Sequence, residues 1–113
     1  MQLEDIYQFF NSPPPTYLNS ELATCYVASV LLEGDSYGSE LIKSLEQTYP
    51  DYRLSDTVLY RCMQSLEREQ VVTAYWQRLQ GRGRPRHMYC IIPEKRTQVE
   101  SLAQLWKKYV GQH

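Results

Sequence analysis

The spacing of apolar residues changes character twice along this chain, and the order of those changes restricts the fold more than any other feature. From residue 3 to residue 66 apolar side chains recur every three or four positions, the period of helices that bury one face. Between Val71 and Ile92 the pattern gives way to β-branched and aromatic residues, the composition of strands. After Pro93 the three-and-four spacing resumes and continues to Val110.

The elements follow from local signals. Leu3, Ile6, Tyr7 and Phe10 mark one side of a short amphipathic helix over 1–10. The run Asn11-Ser12-Pro13-Pro14-Pro15 ends it, because proline has no amide hydrogen and favours an extended spacer. Asn19 or Ser20 caps a second helix that runs to about residue 33, before Gly34. Its apolar residues, Leu22 to Leu32, cover nearly the whole circumference, so it is buried on several sides, and a second subunit is one way to cover the extra face. Ser36 is the candidate cap of the next helix, which buries Tyr37, Leu41, Ile42 and Leu45 and stops at Pro50-Asp51. Ser55 caps the helix after it, with Asp56 at the positive end of the dipole. Leu59, Cys62, Met63 and Leu66 form the inner face of that helix, and Thr57, Tyr60, Arg61, Gln64 and Arg68 lie opposite. Strands over 71–79 and 86–92 enclose a Gly- and Pro-containing loop, and together they read as a β-hairpin. Pro93 suits the first turn of a last helix reaching about residue 110.

The expected fold is therefore mostly α with a β-hairpin wing, an α+β winged helix-turn-helix with added N-terminal and C-terminal helices. Its 113 residues make one domain. Residues 1–11 form the N-terminal helix, 12–19 a proline linker, 20–92 the winged-helix core and 93–110 a C-terminal dimerisation helix. In this arrangement the third helix of the core enters the major groove of DNA, and the wing lies along the backbone or minor groove.

Charge points the same way. Residues 1–77 carry four basic and eleven acidic side chains, a net of −7, whereas residues 78–96 carry six basic and one acidic, a net of +5. So local a basic block implies an anionic partner at one place on the surface; a solvated basic loop is the alternative. Within it, Gly81-Arg82-Gly83-Arg84-Pro85-Arg86 alternates arginines with residues that let the backbone approach a groove wall or hold it extended. Arginine is attracted to the negative potential of a narrow A·T-rich minor groove. The segment Arg82-Gly83-Arg84-Pro85 resembles the centre of the AT-hook. Thr57, Tyr60, Arg61 and Gln64 are the candidate base readers: Arg61 suits guanine, Gln64 suits adenine, and the Thr57 methyl suits a thymine methyl. Arg82, Arg84 and Arg86 are the candidate wing contacts. Ser36, Ser39 and Arg53, at or near helix N-termini, are candidate phosphate contacts.

Other chemistries find little support. Cys25, Cys62 and Cys90 are odd in number and far apart, with no Cys-x-x-Cys, so neither a disulfide framework nor a metal site is expected. His87 sits beside Arg86 with no carboxylate nearby in sequence and suits phosphate better than catalysis, and His113 is terminal. No phosphate-binding glycine loop, His-Glu-x-x-His or nucleophile elbow occurs, so no enzyme activity and no cofactor are expected. The N-terminus is acidic and leads into no apolar stretch, and the longest nearly apolar run, 25–32, is too short to span a bilayer. A cytoplasmic protein without membrane contact is expected.

The sequence resembles the PadR family of winged-helix transcriptional regulators. The segments that carry the likeness are Leu31-Leu32-Glu33-Gly34, Tyr37-Gly38-Ser39-Glu40-Leu41-Ile42, Leu54-Ser55, Leu59-Tyr60-Arg61, Leu66-Glu67-Arg68-Glu69 and Gly83-Arg84-Pro85-Arg86-His87-Met88-Tyr89. The chain departs from the family's habit at Ser39, at Asp56-Thr57-Val58, at Ile91-Ile92-Pro93, and at Gln70, where a glycine is usual. The resemblance implies a homodimer built through the first long helix and the C-terminal helix, with Leu22, Tyr26, Leu102, Trp106 and Tyr109 as candidate contacts, and repression by occupying a double-stranded DNA promoter. Within the family, the short form with an added N-terminal helix is similar to a circadian-clock-associated repressor, which implies a clock gene as target. Many relatives respond to small aromatic or cationic ligands near the dimer interface, and no residue here identifies such an effector. A ligand-responsive regulator is thus one alternative. A winged helix serving as a protein-interaction adaptor is the other, favoured by the acidic first 77 residues.

Overall fold

The computed structural model describes residues 1–79 and 83–112. Helix α1 (Leu3–Asn11) opens with a reciprocal cap, in which the Gln2 amide donates to Asp5 Oδ2 at 3.0 Å. None of its residues is buried, and Leu3, Tyr7, Phe9 and Phe10 stay exposed. The prolines then deliver the chain to β1 (Thr16–Tyr17), which pairs in parallel with β3 (Tyr52–Arg53). The segment expected as a plain spacer is thereby fastened at its far end, and Leu18 just beyond it enters the core.

The core is built on α2 (Ser20–Leu31). Asn19 Oδ1 accepts from the Leu22 amide at 2.8 Å and starts the helix, whose Ala23, Tyr26, Val27, Ala28 and Leu31 are buried. The last helix, α5 (Arg96–Gln112), lies along α2 and inserts Val99, Ala103 and Trp106. Trp106 is wholly enclosed. The rings of Tyr26, Tyr49 and Tyr52 meet it edge-on at centroid distances of 5.5, 5.2 and 5.8 Å. Such edge-to-face pairs contribute about 0.5–1.5 kcal/mol each beyond area burial. The chain's own last helix therefore covers the additional apolar face of α2.

Helix α3 (Gly38–Thr48) buries Leu41 and Leu45, and α4 (Asp56–Arg68) buries Leu59, Cys62, Met63 and Leu66. The end of α4 is a complete Schellman closure: the Val71 amide donates to the Leu66 carbonyl at 2.9 Å and the Gln70 amide to the Glu67 carbonyl at 3.0 Å. Gln70 takes the left-handed backbone this requires, with φ of 58°. Strands β4 (Val72–Gln77) and β5 (Arg86–Ile91) follow as an antiparallel hairpin in register from Val72↔Ile91 to Gln77↔Arg86. A short strand β2 (Ser36–Tyr37), between α2 and α3, adds to the outer edge of β5 and gives the order β2-β5-β4. Ser36, expected as a helix cap, is thus a strand residue, and Tyr37 holds the N-cap position of α3. Pro93 begins a 3-10 turn (Pro93–Lys95) that leads into α5.

Candidate nucleic-acid interface

Burial of one side of α4 decides what its other side presents. Ser55 Oγ accepts from the Val58 amide at 3.2 Å and fixes where the helix starts. With Leu59, Cys62, Met63 and Leu66 turned inward, Thr57, Tyr60, Arg61 and Gln64 are all exposed on the outer stripe. Gln64 Nε2 donates to the Tyr60 hydroxyl at 3.0 Å, so these two side chains form a paired unit on the helix surface.

The hairpin stands beside this stripe. Pairing alternation puts Trp76, His87 and Tyr89 on the hairpin face toward α4. His87 stacks on Trp76 with centroids 4.7 Å apart and lies 5.0 Å from the Tyr89 ring. A groove of about 610 Å³ separates the two elements, lined by Tyr60, Gln64, Glu67 and Arg68 on one wall and His87 and Tyr89 on the other. Burial raises the Tyr89 hydroxyl above its ordinary pKa, and the negative charge of Glu67 adds to the shift. The aromatic wall went unanticipated in sequence. The partial signal was the alternation of aromatic residues in the two strand segments, Trp76 on one and His87 and Tyr89 on the other, but their shared face follows only from the register.

At the wing tip Gly83 has φ of 92°, in the left-handed region, and Arg84 is exposed beside it. Arg82 lies outside the described residues. Arg86 is only half-buried, and its guanidinium sits over the Tyr37 ring at 4.5 Å. On the same hairpin face the Tyr75 hydroxyl donates to Asp35 Oδ2 at 2.7 Å, a bond that raises the Tyr75 pKa above its ordinary value.

Several residues expected at the interface serve other purposes. Ser36 is 1% exposed and its Oγ donates to Glu40 Oε1 at 2.6 Å, so it cannot reach a phosphate. Arg53 spends its guanidinium on its own chain: Nη1 donates to the Pro50 and Tyr52 carbonyl oxygens, each at 2.8 Å, and Nε lies 3.6 Å from Glu46 Oε1. Ser39 is exposed in the first turn of α3, open to an anion. Among the candidate dimer contacts, Tyr26 and Trp106 are corrected. Both are enclosed within the protomer, where α2 and α5 pack on each other, and they offer no surface to a partner. Leu22, Leu102 and Tyr109 are half-buried. The thiols of Cys25, Cys62 and Cys90 are all pushed up by burial, which favours their protonated form. Among the described residues no helix is long and apolar enough to cross a membrane.

Three packed helices whose last presents a polar stripe, followed by a hairpin that shares a sheet with a strand from between the first two, define a winged helix-turn-helix. The PadR-like family of transcriptional regulators matches residues 27–100, and the chain belongs to that family. It is 57% identical to the circadian clock associated protein Pex from Anabaena, over 97% of this chain and 96% of that one, with a TM-score of 0.89. It is 54% identical to Pex from Synechococcus, over 97% and 98% of the two chains, with a TM-score of 0.92. A transcriptional regulator from Clostridium thermocellum shares 27% identity over 82% of this chain and 92% of its own, with a TM-score of 0.62. The family match begins at Val27, after α1, whereas the two Pex proteins align with nearly the whole chain. No curated protein matches it.

Proposed function

We propose that this chain is a homodimeric, cytoplasmic, sequence-specific DNA-binding repressor, and that a circadian clock gene is its target. The observation that carries the reading is the exposed stripe Thr57, Tyr60, Arg61 and Gln64 on α4, directly beside a wing that bears Arg84 at its tip. The stripe reads base edges in the major groove. Arg84, together with Arg82, occupies the minor groove or its phosphates, and Ser39 meets a phosphate at the start of α3. Likeness to a protein associated with the circadian clock supports the choice of target. The dimer is supported by apolar surface that the chain leaves uncovered: Leu3, Tyr7, Phe9 and Phe10 of α1 and Leu105 of α5. Two-fold pairing also suits a reader of a two-fold DNA site.

Salt dependence tests the reading. About three phosphates neutralised per subunit, by Arg82, Arg84 and Arg86, make about six per dimer, so affinity for duplex DNA falls roughly a thousandfold between 50 and 200 mM salt. Arg84→Ala leaves the unfolding midpoint in place, weakens binding and lowers the slope by about one per subunit. A flat salt response contradicts the reading and favours the adaptor role, whereas an Arg84→Ala protein that binds as tightly as wild type removes the wing from the mechanism.

A further inference from the structure

The hairpin is held to the body by very little regular pairing. Strand β2 contributes two residues, Ser36 opposite Tyr89 and Tyr37 opposite Met88. Beyond that point the wing is a two-stranded ribbon, and such ribbons twist and bend readily when unsupported. Two side-chain contacts continue the attachment toward the tip. On β4, the Tyr75 hydroxyl reaches Asp35 Oδ2 at 2.7 Å. On β5, Arg86 lies over the Tyr37 ring at 4.5 Å, two residues past the last pairing with β2. Tyr75 pairs with Met88, and Arg86 is two residues from Met88, so both contacts leave the same hairpin face, the one turned away from α4. Both end on one short segment, Asp35 to Tyr37, and Tyr37 is also the N-cap residue of α3.

We infer that the Asp35–Tyr75 hydrogen bond and the Tyr37–Arg86 stack form a clasp that sets the angle of the wing against α4, which makes Asp35, Tyr37, Tyr75 and Arg86 positioning residues for the DNA contacts of the wing tip. The inference rests on the DNA-binding reading above. It also adds a second task for Arg86, whose guanidinium face lies on the Tyr37 ring in a contact that does not use its N–H donors. A fixed angle makes the wing read one base step at a set distance from the bases read by α4. A loosened wing samples several steps and averages over them.

The experiment uses duplexes that wild-type protein selects from a random pool, varied one base pair at a time. Arg61→Ala and Arg84→Ala mark which positions are read by α4 and which by the wing. Tyr75→Phe and Tyr37→Leu are then compared with wild type and with Tyr37→Phe, which keeps the ring. The clasp predicts that Tyr75→Phe and Tyr37→Leu keep wild-type unfolding midpoints and full preference at the α4 positions. Their preference at the wing positions flattens, with about threefold to tenfold loss of affinity for the selected site, and Tyr37→Phe restores it. Unchanged preference at the wing positions overturns the clasp. Equal loss at both sets of positions also overturns it, because that marks a general structural role. If wild-type protein selects no duplex, the DNA-binding reading itself is overturned and the clasp falls with it.

Discussion

Tyr26 shows how one side chain ties the core together. Its ring is buried against Trp106, and its hydroxyl donates to the Leu41 carbonyl at 2.7 Å, joining α2 to α3. Burial, reinforced by the negative ends of Tyr49 and Glu40, pushes its pKa well above the ordinary tyrosine value. A phenol is neutral when protonated, so this contribution to stability is complete below about pH 10 and declines as pH rises through the folded-state value. Urea unfolding at pH 8 and at pH 11 checks it. Tyr26→Phe costs about 1 kcal/mol at pH 8, yet loses less stability than wild type on going to pH 11. An equal alkaline loss in both proteins contradicts the assignment. At this scale the sequence is least informative. The apolar spacing of α4 foretells which residues face outward, because burial of Leu59, Met63 and Leu66 leaves one possible orientation. No spacing shows that Ser36 is buried against Glu40, that Arg53 is held by its own backbone, or that Arg86 is stacked on Tyr37, since these partners meet only once the chain has folded.

At the scale of elements, the signals that survived are those with a local cause. Asn19 and Ser55 cap the helices expected of them, because an N-cap needs only an acceptor three residues before an amide. Strands β1, β2 and β3 escaped notice because two residues carry no readable alternation, and each exists only through a distant partner. The C-terminus of α4 offers a sharper lesson. The family's usual glycine is replaced by Gln70, yet the Schellman closure is complete and Gln70 holds a left-handed φ of 58°. A side chain in that region costs about 1–2 kcal/mol, partly offset by the larger backbone entropy that glycine loses on folding. Gln70→Gly therefore raises stability by about 0.5–1 kcal/mol, roughly 2–4 °C in Tm by calorimetry. A lower Tm would mean that the Gln70 side chain contributes something the backbone geometry does not reveal.

For the molecule as a whole, fold class was legible because the order of periodicities leaves few arrangements, and the third core helix and wing fall where that order puts them. The packing of α5 was less so: an apolar stripe at the end of a chain suits its own core or a partner's equally well. Here it fills the chain's own core through Trp106, so the proposed dimer has to use α1, Leu105 and the half-buried Leu22, Leu102 and Tyr109. The radius of gyration, 16.3 Å, exceeds the roughly 13 Å of a compact chain this long, in keeping with an α1 that buries none of its residues. Sedimentation at micromolar concentration is expected to give a dimer, and a monomer with and without DNA contradicts the two-fold arrangement.

The central claim is that two such units read one duplex, each with α4 in the major groove and an arginine-bearing wing against the minor groove. Selection of bound duplexes from a random DNA pool at moderate salt tests it most directly. The account predicts enrichment of a two-fold symmetric, partly A·T-rich site whose half-sites lie about one helical turn apart, or a multiple of it. No enrichment at any salt concentration would contradict it.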